Sequence, residues 1–235
     1  MLIPLKTDEP TRTLPIITIL LILANIAVFI YQIAAFGIGR EAMSHAAQVY
    51  GAVPYELIHA EDIPPPAKYS PYFSLLTYMF MHAGFVHIIS NMLVLNAFGP
   101  NIEDIMGHLK FLMFYIICGV VSAAVYIIPN FRSFSPLVGA SGAIAGVMGA
   151  HLRAVPRTRI VCLFFFVLRV TLPAGVILIT WILLQFYYAT NYVNSNIAWI
   201  AHIGGFIFGM LVVRKFERRR SSRRSNGSQN GEFYA

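Results

Sequence analysis

Residues 14–38 read LPIITILLILANIAVFIYQIAAFGI, and this stretch decides the class of the fold. Crossing a hydrocarbon core of about 30 Å takes about 20 apolar residues at about 1.5 Å per residue. The stretch meets that requirement and is too long for the apolar region of a signal peptide, which runs to about 7–15 residues. It is read as a retained membrane span. Five further segments approach the same requirement: residues 75–98, 109–128, 141–152, 172–189 and 197–213, of which 141–152 is unusually short. Composition agrees. Of 235 residues, 57% are hydrophobic and only 11% charged, against about 25% charged in an ordinary soluble domain. With 18 Phe and 12 Tyr, the chain has the wrong composition for a disordered or fibrous protein. The reading is an all-α polytopic membrane protein, a bundle of six transmembrane helices.

The expected organisation is a short cytoplasmic N-terminus over residues 1–13, a membrane domain over 14–213 and a basic, disordered cytoplasmic tail over 214–235. Residues 39–74 hold Tyr50-Gly51-Ala52-Val53-Pro54, Glu61-Asp62 and Pro64-Pro65-Pro66, and are expected to form an outer interfacial loop. Residues 160–170 are apolar but interrupted by Arg169 and followed by Pro173, which suggests a loop dipping into the inner interface. With the N-terminus inside, thirteen Lys and Arg fall on the inner side, against Arg40, Lys68 and Arg132 outside, with Arg169 unassigned. That asymmetry places both ends in the cytoplasm. No transit segment is visible, so a bacterial inner membrane is expected. The net charge of +7 is concentrated at the C-terminus, where it suits a topology anchor on the lipid bilayer better than nucleic acid. Cys118 and Cys162 are too few for a disulfide framework. No CxxC, no HExxH and no chain of intramembrane carboxylates occurs, so neither a zinc metal site for hydrolysis nor an acid-based ion relay is expected.

Ionisable groups inside spans are costly and mark candidate sites. His87 and His202 are the clear midspan cases, joined by the polar residues Asn91 and Ser141. Ser141 opens a span that reaches its basic flank, Arg153, only twelve residues later, so it begins about 10 Å below the outer face. His202 follows Asn196, the last outer-loop residue, by six positions and lies about 9 Å down. His87 precedes an expected inner break at Gly99-Pro100 by twelve residues, which puts it about 12 Å below the outer face. Three helices thus carry a serine and two histidines at one level. Ala201, Gly205 and Gly209 recur at four-residue spacing in the last span, and Gly142 and Gly146 with Ala145 and Gly149 make a comparable small face below Ser141. Backbones packed this closely can bring His202 to Ser141.

A serine hydroxyl becomes a competent nucleophile when an imidazole takes its proton, and the resulting oxyanion needs donors. Ser141 at a helix N-terminus offers backbone N–H groups. His87 and Asn91, four residues apart on one face, can add side-chain donors. No Asp or Glu lies at this depth, so the candidate is a Ser-His dyad. Each residue also has a plainer reading. Serine in a span usually bonds its own backbone, a lone histidine is often a packing residue, and Asn91 can be polar glue between helices. The shared depth favours chemistry. Glu103, near the inner face, is expected to cap a helix or hold a loop.

Gly139-Ala140-Ser141-Gly142 opens the fourth span, Ala201-His202-x-x-Gly205-x-x-x-Gly209 lies in the sixth, His82-x-x-x-x-His87-x-x-x-Asn91 enters the second, and Gly99-x-x-x-Glu103-x-x-x-Gly107 closes it. In these four motifs, in this order, the chain resembles the rhomboid intramembrane serine proteases. The resemblance implies a cofactor-free six-helix bundle that hydrolyses peptide bonds of single-span or polytopic membrane protein substrates, near the outer face. Ser141 would be the nucleophile and His202 the general base, with His87, Asn91 and the Ser141 backbone N–H as the oxyanion hole. Gly139, Gly142, Gly205, Gly209 and Glu103 would be structural. Two departures stand out: Phe73-Ser74 where many relatives carry Trp-Arg, and Ala145 where some place an aromatic residue against the catalytic histidine. The competing reading is a catalytically inactive rhomboid-like protein that binds transmembrane clients. A transporter would need polar side chains along the inner half, and residues 147–150 and 206–213 supply none.

Overall fold

The computed structural model describes residues 2–61, 63, 70–165, 167–191 and 197–217. Pro64–Pro66, Asn196 and nearly all of the basic tail lie outside the described residues. Among the described residues, five helices are long and apolar enough to cross a membrane: α1 (Ile16–Phe36), α5 (Phe85–Met106), α6 (His108–Ile127), α8 (Ala174–Asn191) and α9 (Trp199–Phe216). The last four of them pack around α7 (Ser141–Ala154), which is only 14 residues long and buried at every position from Gly142 to His151. A helix too short to span needs no lipid-facing side. Enclosed on all sides, it can be built from Gly and Ala.

The bundle buries polar side chains within an apolar core and exposes large apolar ones, the pattern of a molecule whose solvent is lipid. The inward face of α1 carries Thr18, Leu21, Asn25, Phe29 and Gln32, at helical spacing. Each polar member finds a partner: Gln32 Nε2 donates to the His82 carbonyl at 2.8 Å, and Asn25 Nδ2 to the Leu21 carbonyl at 2.7 Å. Leu20, Leu23 and Ile30 on the same helix face outward. Glu103 of α5 is fully buried at the start of α1, where its carboxylate accepts from the N–H groups of Ile17 and Thr18, both at 2.8 Å, and from Thr18 Oγ1 at 2.7 Å. His108 Nδ1 lies 2.6 Å from it. An acidic side chain thus caps orphan donors where the helix dipole favours negative charge, but from another helix.

Three stretches depart from the sequence-based expectation. The second span does not end at Gly99-Pro100; α5 runs through Pro100 to Met106 and stops at Gly107, with φ +80°. A proline removes one backbone donor, but tertiary contacts hold the helix on: Gly99 packs against Thr18 and Glu103 caps α1. At its other end α5 starts only at Phe85, after a short helix α4 (Ser74–Thr77) and a 3-10 turn at Tyr78–Phe80. Among the described residues of 39–74, the chain forms α2 (Arg40–Tyr50), α3 (Pro54–His59) and a 3-10 turn at Pro71–Phe73 that leads into α4. The two helices α2 and α3 are tied down by the Ala52–Leu137 bridge and by the Tyr55 N–H donating to the Ser133 carbonyl at 3.0 Å.

The third departure is a small sheet beside the bundle, in the order β1-β2-β3. Residues 160–170 form most of an antiparallel hairpin, β2 (Arg159–Phe164) and β3 (Leu168–Pro173), and β1 (Leu2–Thr7) pairs with β2. Ile160 and Cys162 point inward with a period of two. The pattern was hidden because the alternate positions Val161 and Leu163 are apolar as well. Phe164 and Phe165 are exposed at the hairpin tip; Phe166 lies outside the described residues.

Candidate active site

Ser141 is the first residue of α7, and the reason is Gly139. Its φ of +117° is a conformation that side chains rarely adopt, and its N–H donates to the Tyr78 carbonyl at 2.8 Å. The turn aims α7 at the interior with Ser141 leading. A Cβ on Gly139 would stand 2.7 Å from Cε1 and 2.8 Å from Nε2 of His87, so the missing side chain is also the space that the imidazole fills.

Small residues then bring α7 and α9 together. A methyl group on Gly205 would overlap the Gly142 carbonyl oxygen, one on Gly209 the Gly146 carbonyl, and one on Gly149 the Phe206 carbonyl. Ser122 of α6 secures the end nearest the site by donating to the Ala201 carbonyl at 2.7 Å. With the backbones in contact, His202 Nε2 lies 2.8 Å from Ser141 Oγ.

His87, Ser141 and His202 all fall in the first turns of their helices, α5, α7 and α9. This is the structural basis of their common level. Asn91 sits one turn deeper, buried, and its Nδ2 has no hydrogen-bond partner among the described residues. The Ala83 N–H faces His87 Nδ1 at 3.4 Å; with Nδ1 as acceptor, the ring proton is on Nε2, which is left as a donor. Ile144 N–H is bonded to the Ala140 carbonyl at 3.0 Å, so by helix geometry the N–H groups of Ser141, Gly142 and Ala143 have no intrahelical acceptor. Ser141, His202, His87 and Asn91 all line one cavity of about 890 Å³, enclosed by α5, α7, α8, α9 and residues 135–138. A serine hydroxyl bonded to an imidazole, with side-chain and backbone donors converging on the same space, can carry out acyl transfer.

Two site residues were missed in the sequence, and both belong to α8. Gln185 Oε1 lies 2.8 Å from His202 Nδ1. The Trp181 ring is tilted by 34° against the His202 ring, with centroids 5.9 Å apart. The aromatic neighbour that Ala145 does not provide therefore comes from a different helix. Neither residue stands out in an apolar span at 17 and 21 positions from the histidine. The other departure, Phe73-Ser74, sits in the segment before α5, held by Thr77 Oγ1, which donates to the Tyr50 carbonyl at 2.7 Å.

Fold and site together define a polytopic helical membrane protein with a hydrogen-bonded serine and histidine in an internal cavity. A Rhomboid domain profile matches residues 70–219, and the chain belongs to the rhomboid family. It is 32% identical over 156 residues to YdcA of Bacillus subtilis (strain 168), which carries a rhomboid-protease name; the match covers 62% of this chain and 69% of YdcA. It is 34% identical over 140 residues to the rhomboid protease GluP of the same organism, covering 59% of this chain and 25% of GluP. To the mitochondrial RHOMBOID-like protein 6 of Arabidopsis thaliana it is 30% identical over 146 residues, covering 59% of this chain and 41% of that protein. The chain thus matches well under half the length of the last two relatives.

Proposed function

We propose that this chain is an intramembrane serine endopeptidase that hydrolyses peptide bonds of transmembrane protein substrates. The observation that carries the proposal is the 2.8 Å hydrogen bond between Ser141 Oγ and His202 Nε2 inside a bundle whose outer surface is apolar. As Ser141 Oγ attacks the scissile carbonyl, His202 Nε2 takes its proton. The charge that develops on the carbonyl oxygen is met by the Ser141 N–H, His87 Nε2–H and the unpaired Asn91 Nδ2. His202 then protonates the leaving amine. A water entering the cavity, deprotonated by His202, attacks the acyl-enzyme and frees Ser141. Client binding without cleavage, the alternative, gives no reason for a serine bonded to an imidazole beside an unpaired amide donor.

The basic residues near the ends of α7 and α9, Arg153, Arg157, Arg159, Arg214 and Lys215, lie at the end of the bundle away from Ser141. They support an orientation with both termini cytoplasmic and the site near the outer face. We assign the chain to a bacterial inner membrane.

A fluorophosphonate tests the chemistry. It should label the wild-type protein at one serine, identified as Ser141 by peptide mapping, and His202→Ala should slow labelling at least ~100-fold. Equal labelling of the two proteins would remove His202 as the base.

A further inference from the structure

We infer that Gln185 is a positioning residue: its side-chain oxygen accepts the Nδ1 proton of His202 and so keeps the Nε2 lone pair on Ser141. The inference rests on the protease reading above and adds a third member to the pair. A neutral imidazole carries one ring proton. With that proton on Nε2, the ring has no lone pair to offer the serine and cannot act as its base. Among the described residues no carboxylate is bonded to His202 to fix the tautomer. What faces Nδ1, at 2.8 Å, is Gln185 Oε1, an atom that only accepts. The amide is held in that sense because its Nε2 points to the Trp181 carbonyl one turn back, at 3.4 Å.

The setting on α8 shows that this is a built arrangement. Gln185 is 4% exposed, while Leu183 two positions earlier is 60% exposed. The residues that α8 buries are Ala174, Leu178 and Gln185, one helical face. On that face an apolar side chain would cost nothing, whereas a buried amide is costly unless bonded. Its main partner is His202. Since α8 also carries Trp181 against the ring, the placement of one lipid-exposed helix sets both the tautomer and the tilt of the imidazole. Gln185 is uncharged, so it orients the imidazole but gives little stabilisation to the imidazolium, unlike the carboxylate of a triad.

The test compares full-length wild type, Gln185→Leu, Gln185→Glu and Ser141→Ala in liposomes with a single-span reporter. Gln185→Leu keeps the shape and removes the acceptor; kcat should fall ~10–100-fold with KM within about twofold. Gln185→Glu should recover activity and move the acid limb of the pH–rate profile to higher pH, since a carboxylate favours the protonated imidazole. Cleavage that needs Ser141 while Gln185→Leu matches wild type in kcat and pH profile would overturn the role of Gln185 and leave the protease reading intact. Long-range ¹H–¹⁵N spectra of histidine-labelled protein read the tautomer without turnover. The His202 signal, assigned by its loss in His202→Ala, should show an Nδ1-bound proton in wild type and a mixed or Nε2-bound one in Gln185→Leu. The remaining histidine signals show whether each variant is folded. An Nε2-bound proton in the wild type would overturn the inference even if the protein cuts nothing.

Discussion

Gly139 shows how much one residue can decide. Its positive φ sets the direction of α7, and its bare Cα leaves the volume that the His87 ring occupies. An alanine there would be strained by about 1–2 kcal/mol in the backbone and would press on the ring of His87, the proposed oxyanion donor, at the same time. Gly139→Ala is therefore expected to lower kcat at least ~10-fold while the protein stays folded, measured on the reporter with unfolding followed in parallel. Unchanged kcat would separate His87 from the reaction. At this scale the sequence was informative because a polar group in an apolar span is rare. Ser141, His202, His87 and Asn91 could each be singled out, and depth arithmetic put the serine and the histidines on one level. Gln185 escaped because a single amide in α8 looks like any tolerated polar residue until its facing partner is known, and the pairing of α8 with α9 is a tertiary fact that no spacing encodes.

Helix against helix, the site depends on the α7–α9 contact more than on any loop. Gly146 and Gly209 touch backbone to backbone, so Gly209→Ala must push the helices apart; overpacking of this kind costs about 1–3 kcal/mol. It should lower the unfolding midpoint and slow fluorophosphonate labelling of Ser141, because His202 moves with α9. Gly175→Ala in the first turn of α8 is the control: its methyl meets nothing nearer than 3.8 Å, and it should leave labelling unchanged. Equal stability and labelling for both variants would refute the close-packing account. The small-residue spacing of α9 was legible in the sequence. The end of α5 was not, because Pro100 is a local signal to stop and the contacts that override it, Thr18 on Gly99 and Glu103 on the start of α1, come from more than 80 residues away. Nor was the hairpin legible, since strand alternation vanishes when both faces are apolar.

The molecule as a whole is a bundle turned toward lipid, with Leu, Ile and Phe over its outer surface and hydrogen-bonded Gln32, Asn101, Thr18 and Glu103 inside. The helix that opens on Ser141, too short at 14 residues to span, is sheltered at the centre, so its N-terminal turn, and Ser141 with it, stands at the wall of a cavity. At the opposite end, β1 ties the N-terminal segment to the hairpin between α7 and α8. The central claim is that this cavity cuts peptide bonds within the membrane. Purified protein reconstituted in liposomes with a single-span reporter tests it most directly, with products mapped by mass spectrometry. The account predicts one cut within the reporter's span, near the end that lies level with Ser141 and away from Arg214 and Lys215, and at least ~1000-fold less product with Ser141→Ala. Cleavage by Ser141→Ala at the wild-type rate would contradict it.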